Sequence, residues 1–180
     1  MREADAPSDA ERRRAIEAEL MRLEESAKYS SQGQFEQTKQ WRVVNLAVGL
    51  PASVLAAISG TTALASTGGR IWAGILALAA AGLGTVLTTV NASHRMNQAS
   101  AAANAYLEVQ TAARQLREID LPVLPVEEAR AALAELTARR DEQNKTAEPI
   151  NRRARRKAQE NIATGGQTYA VDQTLTTPDR

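Results

Sequence analysis

Residues able to do chemistry are few in this chain, and none is arranged as a catalytic group. Cysteine is absent, so there is no disulfide, no thiolate nucleophile and no thiolate metal site. The single histidine, His94, has no second metal ligand beside it. The acidic residues lie among basic neighbours, without an isolated pair suited to acid–base work. Gly68-Gly69 and Gly165-Gly166 read as turn and helix-stop glycines. No phosphate loop, dinucleotide fingerprint, zinc spacing or nucleophile elbow accompanies them. These residues predict a protein that is not an enzyme and holds no cofactor or metal.

The densest charge is Arg152, Arg153, Arg155, Arg156 and Lys157, all within six positions. Three chemistries fit such a run. It can be a solvated or salt-bridged helix face. It can contact anionic lipid headgroups, where each charge near a membrane is worth about 1 kcal/mol. It can hold an anionic ligand or nucleotide, although no aromatic platform accompanies it. With 22 basic and 21 acidic residues the net charge is +1. No global basic field points to direct nucleic-acid binding.

A second set of polar residues lies where charge is missing. No charged residue occurs between Arg42 and Arg70, nor from Ile71 through Ser93. The first stretch carries Asn45, Gly49, Ser53, Ser59 and Gly60 at helical spacing. The second carries Gly84, Thr85, Thr88 and Asn91 among alanines. Small residues four apart let two membrane helices approach closely. These faces either close the two helices on each other or, in a homo-oligomer, line a narrow wet path. The lack of charge speaks against a charged filter or proton relay. Pro51 removes a backbone donor well inside the first stretch, which predicts a hinge-like kink near Ala47 to Pro51.

The elements that position these residues follow from hydropathy. Each uncharged stretch exceeds the roughly 20 apolar residues needed to cross a bilayer. Ser66 to Arg70 is too short for anything but a reversal. The prediction is an all-α membrane protein: a two-helix transmembrane hairpin with long cytoplasmic helical extensions forming a bundle. Its spans are 43–66 and 71–91, joined by an external turn at 67–70. A buried alanine-rich hairpin in a soluble bundle is the alternative, but soluble helices are rarely apolar on every face. Trp41 and Trp72 take interfacial positions. Lys28, Lys39, Arg42 and Arg95 flank the hairpin while the turn has only Arg70, which points both termini to the cytoplasm.

At 180 residues the chain has room for one small domain, and a negative mean hydropathy hides its apolar middle. Residues 1–7 read as a frayed start without a cleavable signal. Helix 8–42 opens with Ser8 and Glu11 at capping-box spacing. It carries the stripe Ile16, Leu20, Leu23, Ala27, Gln34, Thr38 and Trp41. Ser30-Ser31-Gln32-Gly33 predicts a break in it. A helix over 92–119 carries Ala92, Met96, Ala99, Ala103, Tyr106, Val109, Ala113 and Leu116. It should pack against the first helix and end at the Pro122–Pro125 corner. Helices over 126–146 and 150–163 follow, then a non-helical patch over 168–172 and a flexible tail at 173–180.

This layout resembles the SLATT family over residues 8 to 172. The likeness is carried by Tyr29, Phe35-Glu36-Gln37, Trp41-Arg42, the two small-residue spans and Ala101 through Leu107. The Arg-rich helix, Gly165-Gly166 and Tyr169 extend it. The resemblance implies a bacterial inner-membrane effector that oligomerises and perturbs the bilayer in antiviral defence. Its trigger would come from a nucleotide-generating or nucleotide-sensing partner, and the family offers no catalytic residues to carry over. A non-conducting scaffold recruiting cytoplasmic partners is the competing reading. A holin-like protein is a third, and the long flanking helices count against it.

Overall fold

The computed structural model describes residues 8–65 and 69–169. The predicted loose ends at 1–7 and 173–180, turn residues 67–68, and 170–172 of the C-terminal patch lie outside the described residues. Every regular element among the described residues is helical: α1 (Asp9–Ala65), α2 (Gly69–Val90), α3 (Ala92–Gln115), a π-helical turn (Leu116–Asp120), α4 (Val126–Thr146) and α5 (Arg152–Ala163). Two compact units divide them. The first unit takes the chain to Glu36 and again from Ala101, and the second takes Gln37–Ser100.

The first unit forms because three helices each carry a narrow apolar stripe. Ile16, Leu20, Leu23 and Ala27 of α1 share a core with Val109, Ala113 and Leu116. Leu121 and, from α4, Val126, Ala129, Leu133 and Leu136 complete it. Ser8 caps α1 as its spacing predicts. Its backbone N–H donates to Glu11 Oε2 at 2.8 Å, and Glu11 N–H donates back to Ser8 Oγ at 3.3 Å.

The helix predicted to reach residue 119 is wound as α only to Gln115. Leu121 N–H then donates to Leu116 O at 2.8 Å, the wider π spacing. That turn lets Leu116 and Leu121 both enter the core ahead of Pro122. The corner carbonyls are taken up from outside. Arg13 of α1 donates its guanidinium N–H groups to Leu121 O and to Leu124 O, the latter at 2.7 Å.

The predicted break near Gly33 is absent, and α1 runs through it. Ser31, Gln32, Gln34 and Glu36 are buried there rather than solvated. Gln34 donates to Glu148 O at 2.8 Å, and Asn161 donates to Gln32 Oε1 at 2.9 Å. Gly33 serves close approach: a Cβ there would lie 2.5 Å from Ile150 Cδ1. Gln32 Oε1 and the Gln34 side-chain N–H thus find tertiary partners, while Ser31 Oγ donates to Lys28 O of its own helix at 3.0 Å.

α5 docks through Ala154 and Ala158, both buried. Asn151 caps it, its side chain accepting from Ala154 N–H at 2.9 Å. Gly165, at φ +86°, and Gly166 stop it. Their N–H groups donate to Ile162 O and Asn161 O, a Schellman closure in which only glycine takes the left-handed position without strain.

In the second unit, the later part of α1 touches α2 and the start of α3 along a heptad-like seam. Trp41, Asn45, Val48, Ala52, Leu55 and Ser59 are at least partly buried on one side, and Ala73, Leu76, Ala80, Leu83, Leu87 and Val90 on the other. The steps alternate between three and four, the spacing of knobs into holes. Asn91, with φ 51°, separates α2 from α3. Asparagine tolerates the left-handed region better than other side chains, which makes it a natural stop.

Candidate functional site

The second unit exposes what a water-soluble unit hides. Val43, Leu50, Val54, Ile71, Trp72, Ile75 and Leu78 all face outward, Leu78 at 76% and Ile71 at 73% exposure. Two helices are long and apolar enough to cross a membrane, one within Asp9–Thr61 and one within Ile71–Asp120, and their apolar stretches are almost wholly unburied. Isolated exposed leucines need no explanation, but contiguous apolar surface around two helices does.

The structure splits the small polar face that spacing alone treats as one. Asn45, Gly49 and Ser59 lie on the seam. Ser59 Oγ donates across it to Ala73 O at 2.7 Å and Ser93 Oγ to Asn45 Oδ1 at 3.2 Å, while Gly49 would place a Cβ 3.5 Å from Leu87. Ser53, Gly60, Thr85, Thr88 and Asn91 are instead exposed. Gly84 is half-buried, and a Cβ at Gly60 or Gly84 would meet nothing within 4 Å. Bulky Leu55, Leu83, Leu87 and Val90 turn in to the seam as well. The reason is geometric: a stripe repeating every 3.5 residues drifts across a face drawn at i and i+4.

The outward hydroxyls spend their donors locally. Ser53 Oγ donates to Gly49 O, Thr85 Oγ1 to Ala81 O, and Thr88 Oγ1 to Thr85 O, each at 2.9 Å. Such back-bonding hides a hydroxyl's donor from an apolar solvent. Pro51 is exposed on a helix that continues past it. Trp41 lies half-buried beneath the Arg95 guanidinium, 5.1 Å from its ring centroid, and Trp72 is 65% exposed. Sequence reasoning missed Ser93 as the partner of Asn45, since the two are far apart in the chain and only helix pairing joins them.

In the first unit, Arg152, Arg153, Arg155, Arg156 and Lys157 are all exposed. Among the described residues only Arg156 has an acidic partner, Glu160 at 3.7 Å. No group of acidic, histidine or cysteine side chains that could hold a metal occurs among the described residues. Burial of Tyr106 pushes its ionisation upward: desolvation raises its pKa, and its hydroxyl donates to Asn144 Oδ1 at 2.8 Å. Comparison of the chain with protein-family models, curated proteins and solved structures finds no match.

Proposed function

We propose that this chain is a membrane effector whose paired helices cross a bacterial inner membrane as a hairpin. Both termini face the cytoplasm, and copies assemble to form a pore or to disrupt the bilayer. The observation that carries this reading is the apolar surface of the second unit, which no part of the described chain covers. A hydrocarbon environment satisfies it, and the positive-inside bias of Lys28, Lys39, Arg42 and Arg95 orients it. Outward small residues such as Gly60 offer close contact to a second copy. The resemblance to SLATT proteins supplies the setting: antiviral defence by abortive infection, triggered by a nucleotide-generating or nucleotide-sensing partner. The protein would act through its shape in the membrane rather than as an enzyme.

Gly60→Leu and Gly84→Leu test the assembly, because within one chain neither new Cβ meets a neighbour. Bacteria expressing the chain with its activating partner should depolarise, as read by a potential-sensitive dye. Both substitutions should abolish that while the protein stays in the membrane. Unaltered depolarisation by both variants would sink the assembly idea, and intact membranes on confirmed activation would sink the effector reading.

One observation favours a second reading, a non-conducting scaffold. Ser53, Thr85 and Thr88 bond their own helices and so present no free donors to a wet path. If the scaffold reading is right, an unrelated membrane anchor in place of residues 43–91 will preserve function.

A further inference from the structure

The first unit holds a recess of about 820 Å³ that the membrane reading does not use. It lies between the α1 turn bearing Glu24 and Lys28, the end of α3 with its π turn, and the segment after α5 that carries Gln167 and Tyr169. Its volume falls in the range of small-molecule sites, roughly 300–1,000 Å³.

The charges in it are unevenly matched. Arg117 is held by Glu24 at 3.1 Å and Glu118 at 2.6 Å. Lys28 and Arg114 have no acidic partner among the described residues. Arg114 instead lies 4.8 Å from the centroid of the Tyr169 ring, which stays 44% exposed. Gln110 lines the same recess and is only 7% exposed. Its Nε2 donates to Gln167 Oε1 at 3.3 Å, while its Oε1 is buried without a donor. A buried acceptor left unpaired keeps the penalty of its lost hydration. Few buried groups are left so, and one lining an open recess beside two unpaired cations is placed to meet a ligand's N–H or O–H.

We propose that this recess binds a small organic phosphate that also carries hydroxyl or amine donors. Lys28 and Arg114 hold the phosphate, and Gln110 Oε1 accepts from the ligand. The two cations come from different helices, so the anion has to offer oxygens in more than one direction. A tetrahedral phosphate does this better than a planar carboxylate. The recess far exceeds inorganic phosphate in size, which calls for an organic body with the donor on it. Free glycerol or sugar phosphates and phospholipid headgroups share this chemistry. The site stands independently of whether the second unit forms a pore.

The test is titration calorimetry on the full chain in phosphate-free detergent, with glycerol 3-phosphate as probe and glycerol and inorganic phosphate as controls. Glycerol 3-phosphate should bind saturably and about tenfold more tightly than inorganic phosphate, and glycerol should not bind. Gln110→Leu should erase the tenfold advantage. Lys28→Met with Arg114→Gln should weaken glycerol 3-phosphate by about tenfold or more with helical content unchanged. If Gln110→Leu unfolds the protein, Gln110→Glu keeps the side-chain size and should repel the phosphate. Competition from phosphatidylglycerol nanodiscs, but not phosphatidylcholine ones, would assign the ligand to lipid. Its absence would assign it to a free phosphate ester. No saturable binding up to about 10 mM, or equal affinity in the Lys28 and Arg114 double variant, would overturn the proposal and leave the recess to water.

Discussion

The two units solve the same packing problem in opposite ways. The first turns its large apolar side chains inward: Leu20 is fully buried, and Ile16, Leu23 and Leu133 nearly so. The second mixes Asn45, Ala52, Ser59, Ala73 and Ala80 with Leu55, Leu83 and Leu87 along its seam and leaves Val43, Leu50, Ile71 and Leu78 outside. In water the second arrangement would gain little, because burial of apolar area is the main favourable term in folding. In hydrocarbon it gains by close backbone packing, for which small residues are the suitable choice. On the proposed membrane placement, two solvents rather than two fold types explain how the described helices carry both patterns.

The strongest way to break that comparison is to exchange the rules. Leu20→Ala removes a wholly buried side chain and should destabilise the first unit by roughly 2–5 kcal/mol. Urea unfolding in detergent, followed by circular dichroism, measures it. Leu78→Arg should leave that stability alone, yet oppose membrane insertion by about 2.5–3.5 kcal/mol if its site is near the bilayer centre. Membrane fractionation reads it. Full retention of the Leu78→Arg variant in the membrane, with Leu20→Ala harmless, would show that the units do not differ in solvent.

A smaller effect sharpens the picture of the first unit. Arg13 is half-buried and donates to the carbonyls of Leu121 and Leu124, where the π turn leaves the helix. Arg13→Met keeps the aliphatic stem and strands two acceptors, so it should cost about 1–3 kcal/mol. Faster amide exchange confined to residues 116–125 would localise the loss. A change of only a few tenths of a kcal/mol would mean that water caps the corner equally well.

Much of this was legible in the sequence, for reasons that particular residues make clear. The stripes through Ile16–Ala27, Ala103–Leu116 and Ala129–Leu136 are local periodicities, and the structure buries them. Ser8 with Glu11 and Gly165 with Gly166 act within one turn, so spacing sufficed. What escaped was non-local. Gly33 reads as a helix breaker until Ile150 is seen against it. Gln34 stands on the predicted stripe as a polar residue with no local partner until Glu148 O accepts from it. Arg13 gives no hint of the corner more than a hundred residues away. Gln110 is polar on an alanine-rich stripe, the one local signal that could have pointed to the recess.

The subtlest test concerns the first turn of α1, where the comparison reaches its exposed limit. Glu11 is solvent-facing, yet its pKa lies below the ordinary carboxylate value, chiefly because the Ser8 backbone N–H donates to it and the Ser8 hydroxyl adds to this. A depressed folded-state pKa means the unfolded chain binds the proton more readily. The capping contribution is therefore complete above the ordinary carboxylate range and is lost as pH falls through the lowered folded value. Fraying of the first turn should thus rise on acidification, with Glu11→Gln frayed to a similar, pH-independent degree. Titration of the Glu11 carboxyl by NMR, alongside exchange of the Arg12 amide that donates to Ser8 O, checks both halves. A Glu11 carboxyl titrating at the ordinary value would show that the capping box does not hold in solution. Equal pH dependence in Glu11→Gln would assign the fraying to another group.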